Sequence, residues 1–127
     1  MIKILCSIVF LFSISSHANT IEINHLIEFV SLTSCSYERN GDLHTGPEAA
    51  KHIQKKYQYY KDDINSTEDF IKYAATKSSI SGDAYRIICP NQETLDSETW
   101  LTKELMSQGR QRLRPINTPW ICGRLSP

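Results

Sequence analysis

The sequence lacks the residue patterns that mark metal sites and several catalytic sites. Its four cysteines and four histidines include no pair at the close spacing that zinc ligands share. It contains neither a Gly-x-Ser-x-Gly nor a Ser-x-x-Lys motif, the signatures of two classes of serine enzyme. We therefore expect no bound metal and no cofactor, and no motif supports an enzyme.

A net charge is lacking as well, because 14 Lys+Arg balance 14 Asp+Glu over 127 residues. The balance is the sum of three unlike segments. Residues 1–18 carry +1, residues 19–108 carry −5 from nine basic and fourteen acidic side chains, and residues 109–127 carry +4 with no acid. An acidic central segment excludes a nucleic-acid-binding core, which needs a basic face. The length suits one domain.

Long hydrophobic runs are also absent. The longest, residues 4–14, is about half of the ~20 residues that a membrane-spanning helix needs. It follows Lys3 and precedes Ser16-His17-Ala18, the pattern of a secretory signal peptide (1–18) that is cut after Ala18. We expect export and no membrane span after cleavage. An uncleaved anchor or a buried N-terminal helix is the alternative.

Three cysteines follow the predicted signal peptide, and an oxidising compartment favours one disulfide among them. Cys35 opens one strand-like run and Cys89 closes another, so a bridge between them forms easily if the two strands are neighbours. We predict a Cys35–Cys89 disulfide with Cys122 free. A bridge from Cys122 to one of the other two is the alternative.

Apolar periodicity and helix start signals predict four helices, at about 20–33, 46–60, 67–77 and 97–108. Thr20 is the predicted N-cap of the first. The second opens at a capping box, in which Thr45 caps the helix and Glu48 reaches back to it.

Two strand regions are predicted, one around Asn40-Gly41 and one at 84–89. Asn-Gly tolerates positive φ at both turn positions, as a type I′ hairpin requires. The elements together predict an α+β fold. It is a small single domain (19–108) of about four helices packed on a minimal antiparallel sheet or hairpin.

Residues 109–127 differ in composition from the rest of the chain, with three of the five prolines, four of the six arginines and no acid. We predict a basic irregular C-terminal tail. It is interpreted either as a solvated extension or as a basic arm for an anionic partner. A third interpretation has Trp120 and Ile121 holding it against the acidic domain.

One face of the second helix carries Glu48, His52 and Lys56 at i, i+4 and i+8, which places them in one ridge. A carboxylate, an imidazole and an ammonium group in a row suit acid–base chemistry or anion binding. The alternative is a ladder of surface pairs that stabilises the helix slightly. Arg39 is an anion contact if it is exposed, whereas a buried Arg39 needs a carboxylate partner.

Ser78, Ser79 and Ser81 cluster in a predicted turn that ends at Gly82. A serine nucleophile needs a general base beside it, and His52 is the best candidate base. Ser79 or Ser81 with His52 is therefore a candidate catalytic pair, although we assign no catalytic residue. The alternative is that the hydroxyls cap the preceding helix and tie the turn to the next strand.

A series of short motifs resembles a known family. The motifs are Cys35-Ser36-Tyr37-Glu38-Arg39-Asn40-Gly41, Glu48-Ala49, His52-Ile53, Lys56-Tyr57, Thr67-Glu68, Phe70-Ile71, Ser78-Ser79-Ile80-Ser81-Gly82, Tyr85, Cys89 and Trp100-Leu101. In this order the chain resembles the YfeK-like family of small secreted bacterial proteins (domain-of-unknown-function family 5329).

The resemblance implies export to the periplasm and a compact α+β domain, and it supports the Cys35–Cys89 pairing. It implies no activity, and the tail after Gln108 departs from the family pattern. The polar positions that match the family motif are Arg39, Glu48, His52, Lys56, Ser79, Ser81 and Tyr85.

These observations favour a binding or interaction protein whose partner is an unknown protein or a small anionic ligand. We expect a monomer with no nucleic-acid partner. A small hydrolase-like enzyme using His52 with Ser79 or Ser81 is the alternative. The predicted binding residues are Arg39, Glu48, His52, Lys56 and Tyr85.

Overall fold

The structure, a computed structural model, describes residues 16–112 and their side chains from 20 to 111. Most of the predicted signal peptide, most of the predicted tail and Cys122 lie outside the described residues. In chain order, the elements are α1 (Ser16–Leu32), β1 (Ser36–Arg39), β2 (Asp42–His44), α2 (Gly46–Tyr59), α3 (Thr67–Phe70), a π-helical turn (Ile71–Ala75), β3 (Arg86–Ile88), β4 (Leu95–Asp96) and α4 (Ser97–Arg112).

The strands form one antiparallel sheet in the order β2-β1-β3-β4. Buried apolar side chains from the helices and from the two central strands form a single core. The predicted α+β fold is confirmed. Strand β4 was not predicted, because a strand of two residues has no period to recognise.

Helices α1 and α4 are longer than the sequence predicts. The apolar positions of α1 are buried as expected, but the helix begins at Ser16. The predicted N-cap at Thr20 is therefore wrong, since the helical backbone continues through the residues before it. Helix α4 passes through Gly109 and ends at Arg112, so the first four residues of the predicted tail are helical.

A tight hairpin joins β1 to β2 at Asn40-Gly41, whose φ angles are 53° and 83°. Positive φ at both positions, with Arg39 opposite Asp42, confirms the predicted hairpin. On its other side β1 pairs with β3, and the predicted Cys35–Cys89 disulfide joins the residues that flank these two strands. Because these cysteines bond to each other, the alternative bridges from Cys122 are excluded.

The start of α2 is fixed by a cap and by a close contact. The Thr45 hydroxyl accepts the N–H of Glu48, and the Glu48 carboxylate accepts the N–H of Thr45 at 2.9 Å, which confirms the capping box. A Cβ on Gly46 would lie 2.5 Å from the carbonyl oxygen of Val30 and 2.9 Å from that of Ser31. Only glycine therefore allows α2 to approach the end of α1 this closely.

Tyr37 connects the sheet to the helices. Its side chain is 2% exposed, and its hydroxyl donates to the Ala75 carbonyl oxygen at 3.1 Å and also hydrogen-bonds with Ser97 Oγ. Burial raises the pKa of the Tyr37 phenol, so it stays protonated and can donate. These bonds tie β1 to the π-helical turn and to the first residue of α4.

Candidate functional site

The middle of α2 meets the start of β3 at the buried side chain of Tyr85. His52 Nε2 lies 3.2 Å from the phenolic oxygen of Tyr85, and Lys56 Nζ lies 5.2 Å from the centroid of its ring. Arg39, at the end of β1, lies close enough to change the pKa of all three groups. We call Arg39, His52, Lys56 and Tyr85 the cationic cluster.

The fifth predicted binding residue, Glu48, does not join this cluster. Its carboxylate is exposed and turns back to the N-terminus of α2, where it accepts the N–H of Thr45. This backbone hydrogen bond lowers the pKa of Glu48. The ridge predicted on α2 is thus divided into a capping residue at its first turn and two site residues further along, His52 and Lys56.

His52 is neutral at pH 7 in this environment. Burial, together with the positive charges of Arg39 and Lys56, lowers its pKa to about 4. The pKa of Tyr85 is raised, mainly by burial, so its phenol is protonated. A neutral imidazole and a neutral phenol therefore share the hydrogen bond at the centre of the cluster.

The cluster keeps an excess of positive charge. Burial lowers the pKa of Lys56, and its cationic neighbours Arg39 and Lys77 add to the effect. In the part of the chain with described side chains, the ion pairs within 4 Å are His25–Glu104 and Arg86–Glu38. No described carboxylate therefore neutralises Arg39, Lys56 or Lys77, although Arg39 and Lys56 are only partly exposed.

Lys56 also lines an adjacent cleft of about 410 Å³ between α2, the π-helical turn and the loop before β3. We call it the serine cleft. Its lining residues are Lys56, Tyr60, Lys72, Tyr73, Lys77, Ser78, Ser79, Ile80, Ser81 and Gly82. The lining thus holds three ammonium groups and five hydroxyls, with no Asp or Glu among these residues.

The three serines have separate partners. Ser78 Oγ accepts the N–H groups of Ile80 and Ser81, and these two bonds lie within the turn itself. Ser79 Oγ lies 3.1 Å from the Tyr60 hydroxyl, and Ser81 Oγ donates to Asn40 Oδ1 at 2.8 Å. None of the hydrogen bonds described for these serines reaches His52, so the candidate catalytic pair is not assembled.

Tyrosine rings form one wall of the serine cleft. The rings of Tyr60 and Tyr73 are stacked, with centroids 5.7 Å apart and planes inclined by 26°. Lys72 Nζ lies 5.3 Å from the centroid of the Tyr73 ring, and Lys56 Nζ donates to the Lys77 carbonyl oxygen at 2.6 Å. These contacts hold two ammonium groups at the cleft with hydrogen-bonding capacity left for a ligand, since each ammonium has three donors.

A family model described as "Family of unknown function (DUF5329)" matches residues 17–109. The chain belongs to this family. The match covers the cationic cluster and the serine cleft and ends before the last residues of α4. No curated protein and no solved structure gives a significant match. None of the helices in residues 16–112 is long and apolar enough to cross a membrane.

Sequence reasoning missed three residues of the serine cleft, namely Lys72, Tyr73 and Lys77, as ligand-binding candidates. Lys72 lies within the π-helical turn, and Lys77 lies two residues after that turn, in an isolated β-bridge with Ala84. No single helical period therefore relates the two side chains. The sequence holds one signal that could have indicated this cationic cleft, which is the absence of Asp and Glu from residues 70–82.

Proposed function

We propose that this protein is an exported bacterial binding protein that holds an anionic ligand in the serine cleft, with the cationic cluster beside it. One observation carries the proposal: three lysines line a single cleft that has no Asp or Glu among its lining residues. Grouping like charges is unfavourable unless an opposite charge is bound among them, so the arrangement suits an anion.

Lys56 belongs both to the cationic cluster and to the lining of the serine cleft. Its ammonium group is partly buried, and the two charged side chains that lower its pKa, Arg39 and Lys77, are also cations. Partial burial without a counter-ion disfavours the charged form, as the lowered pKa of Lys56 reflects. A bound anion offsets that penalty and gains charge-assisted hydrogen bonds, which are about twice as strong as neutral ones.

Hydroxyl groups complete the proposed ligand shell. Tyr60 and Ser79 hydrogen-bond with each other at the edge of the cleft, so one hydroxyl proton of the pair remains to be donated to a ligand. The stacked Tyr60 and Tyr73 rings offer an apolar surface beside the ammonium groups. Together they suit an anion of a few atoms attached to a larger organic group.

The hydrolase alternative has no contact that favours it. A nucleophilic serine requires a base within about 3 Å. Here the imidazole of His52 bonds to Tyr85, while Ser79 bonds to Tyr60 and Ser81 to Asn40. We therefore place binding ahead of catalysis.

Export to the periplasm and membership of the secreted YfeK-like group are part of the proposal. The n-region, apolar run and small residues in 1–18 support export, as does the Cys35–Cys89 disulfide, which needs an oxidising compartment. N-terminal sequencing of the exported protein is expected to begin at Asn19. A chain that still begins at Met1 contradicts this part of the proposal.

Binding is tested by titrating the protein with inorganic phosphate and with sulfate at low ionic strength, following backbone amide shifts by NMR. The shifts are expected at residues 72–82 and around Lys56. The variants Lys56→Gln and Lys77→Gln should each weaken binding roughly tenfold or more, as the loss of one charge-assisted hydrogen bond implies. Lys51→Gln is the matched control, because Lys51 is exposed on the same helix outside the cleft. Equal affinities in all variants, or shifts spread over the whole surface, would overturn the proposal.

A further inference from the structure

The serine cleft has an exposed apolar side chain at its edge. Ile80, in the turn 78–82, is 99% exposed, which makes it the most exposed of the large hydrophobic side chains in residues 20–111. A single exposed isoleucine is common on protein surfaces and needs no explanation by itself. Its meaning depends on the side chains that surround it.

The surroundings of Ile80 are aromatic. Ser79, the residue before it, places its Oγ 3.1 Å from the Tyr60 hydroxyl. The Tyr60 ring stacks on that of Tyr73, and the ring of Tyr59 meets the Tyr60 ring edge-on, with centroids 4.8 Å apart. Tyr59 is 81% exposed. We call Tyr59, Tyr60, Tyr73 and Ile80 the apolar rim. Tyrosine is a residue type that favours the boundary between water and a bilayer, because its ring is apolar and its hydroxyl is polar.

Cations accompany the apolar rim. Lys72 and Lys77 are exposed and line the same cleft as Ile80. Asp63 and Asp83 are close to this region in the sequence, but neither lines the cleft. An exposed apolar side chain beside several lysines suits a partner that is anionic at its surface and apolar beneath it. A bilayer that contains anionic lipids has this chemistry.

The backbone N–H groups of the turn are hydrogen-bonded within the turn itself. Those of Ile80 and Ser81 donate to Ser78 Oγ, each at 3.3 Å. That of Gly82 donates to the Ser78 carbonyl oxygen at 3.1 Å, and that of Asp83 donates to Ser81 Oγ at 3.3 Å. An unpaired N–H group is costly where water is excluded, so this pairing lowers the cost of bringing the turn into contact with a bilayer.

We propose that the anion of the serine cleft is the phosphate of a membrane lipid, and that the protein docks on an anionic bilayer with Ile80 inserted among the acyl chains. Lys72 and Lys77 contact lipid phosphates, and the tyrosines of the apolar rim lie at the level of the headgroups. This inference rests on the proposed function, because it names the source of the anion that the cleft binds. A bilayer adds one contribution that a free phosphate lacks, which is the burial of Ile80.

Flotation of the protein with lipid vesicles at low ionic strength tests the inference. Vesicles of phosphatidylcholine and phosphatidylglycerol in equal amounts should bind the protein, whereas vesicles of phosphatidylcholine alone should bind it far more weakly. Ile80→Ser should weaken binding to the mixed vesicles roughly tenfold or more, as expected for a side chain that leaves water on binding. Leu32→Ser is the matched control, because Leu32 is 76% exposed at the end of α1, outside the cleft. Equal binding by these two variants would overturn the inference.

The contribution of charge is measured in the same assay. Lys72→Gln should weaken binding to the mixed vesicles roughly fivefold, the usual effect of one lysine near an anionic surface. Lys51→Gln removes an exposed charge of α2 outside the cleft and should leave vesicle binding nearly unchanged. Vesicle binding that falls equally in both variants would reflect net charge alone and would overturn the assignment to this face.

Titration of the same variants with inorganic phosphate, followed by NMR, separates this inference from the proposed function. Ile80→Ser should weaken vesicle binding far more than phosphate binding, whereas Lys77→Gln should weaken both. Phosphate binding in the cleft without vesicle binding would overturn the inference and leave the proposed function in place, with a soluble anion as the ligand. The absence of both kinds of binding would overturn both.

Discussion

The imidazole of His52 and the phenol of Tyr85, 33 residues apart in the chain, share a hydrogen bond of 3.2 Å between α2 and the start of β3. Neither group is charged at pH 7, because the pKa of His52 is lowered to about 4 and that of Tyr85 is raised. A neutral pair thus lies among the charged side chains of Arg39 and Lys56.

The pKa of His52, followed by NMR of its ring protons, should be about 4 in the folded protein. Arg39→Gln should raise it, because the variant removes one of the positive charges that disfavour protonation. Arg86→Gln is the control, since Arg86 is exposed and pairs with Glu38. A midpoint near 6.5 in the parent protein would contradict the burial of this imidazole.

The same shift predicts how stability depends on pH. The unfolded chain binds a proton at His52 near pH 6.5 and the folded protein only near pH 4, so acid favours unfolding between these values. The contribution of neutral His52 to the free energy of unfolding is fully present above pH 6.5 and is lost as the pH falls to about 4. Urea unfolding of the parent protein and of His52→Gln over this range measures it, and the variant should show the shallower decline.

Tyr37→Phe should lower the free energy of unfolding by about 1–3 kcal/mol, because buried Ser97 Oγ and the Ala75 carbonyl oxygen lose their partner. Tyr59→Phe is the control, since Tyr59 is 81% exposed, and it should change stability by less than about 0.5 kcal/mol. Chemical denaturation followed by circular dichroism makes the comparison. Equal stability of the two variants would remove the proposed link between β1 and α4.

Gly46→Ala should destabilise the protein by about 1–3 kcal/mol, the range for inserting a methyl group into a closely packed site. The added Cβ meets the carbonyl oxygens of Val30 and Ser31, which belong to backbone and cannot move aside freely. Gly109→Ala is the opposite case, because nothing lies within 4 Å of its added Cβ in the exposed part of α4. Thermal unfolding should show a lower Tm for the first variant and an unchanged or higher Tm for the second.

Replacing both Cys35 and Cys89 by alanine should lower stability by about 2–4 kcal/mol, because their bond closes a loop with a sequence separation of 54. Cys122→Ala is the matched control. Urea unfolding with and without a reducing agent should show that reduction destabilises the parent and the Cys122 variant alike, but leaves the double variant unchanged. Loss of the reducing-agent effect in the Cys122 variant would contradict the assigned pairing.

Features set by neighbouring residues were predictable from the sequence. The capping box of Thr45 and Glu48 and the hairpin at Asn40-Gly41 each depend on two to four consecutive positions with known backbone requirements. The disulfide was predictable in part, because it required only that two short strands be neighbours.

The geometry of the candidate site was harder to predict from the sequence. His52, Lys56 and Arg39 were identified by residue type and spacing. The hydrogen-bond partner of His52 lies 33 residues away, and nothing in the sequence indicates that this partner is Tyr85 and not a serine. Lys72 was missed because it lies in the π-helical turn, which breaks the period by which faces of a helix are assigned, and Lys77 because it lies beyond that turn in an isolated β-bridge with Ala84. Long-range pairing and irregular helical geometry therefore separate the predicted site from the observed one.

Every residue of the cationic cluster and of the serine cleft lies between Cys35 and Cys89 in the chain. A protease that cuts once anywhere in this interval produces two fragments that remain covalently joined. The nicked protein therefore runs at full mass on a non-reducing gel and separates into two bands only after reduction. This behaviour distinguishes cuts around the candidate site from cuts in α1 or α4, which release a fragment in either condition.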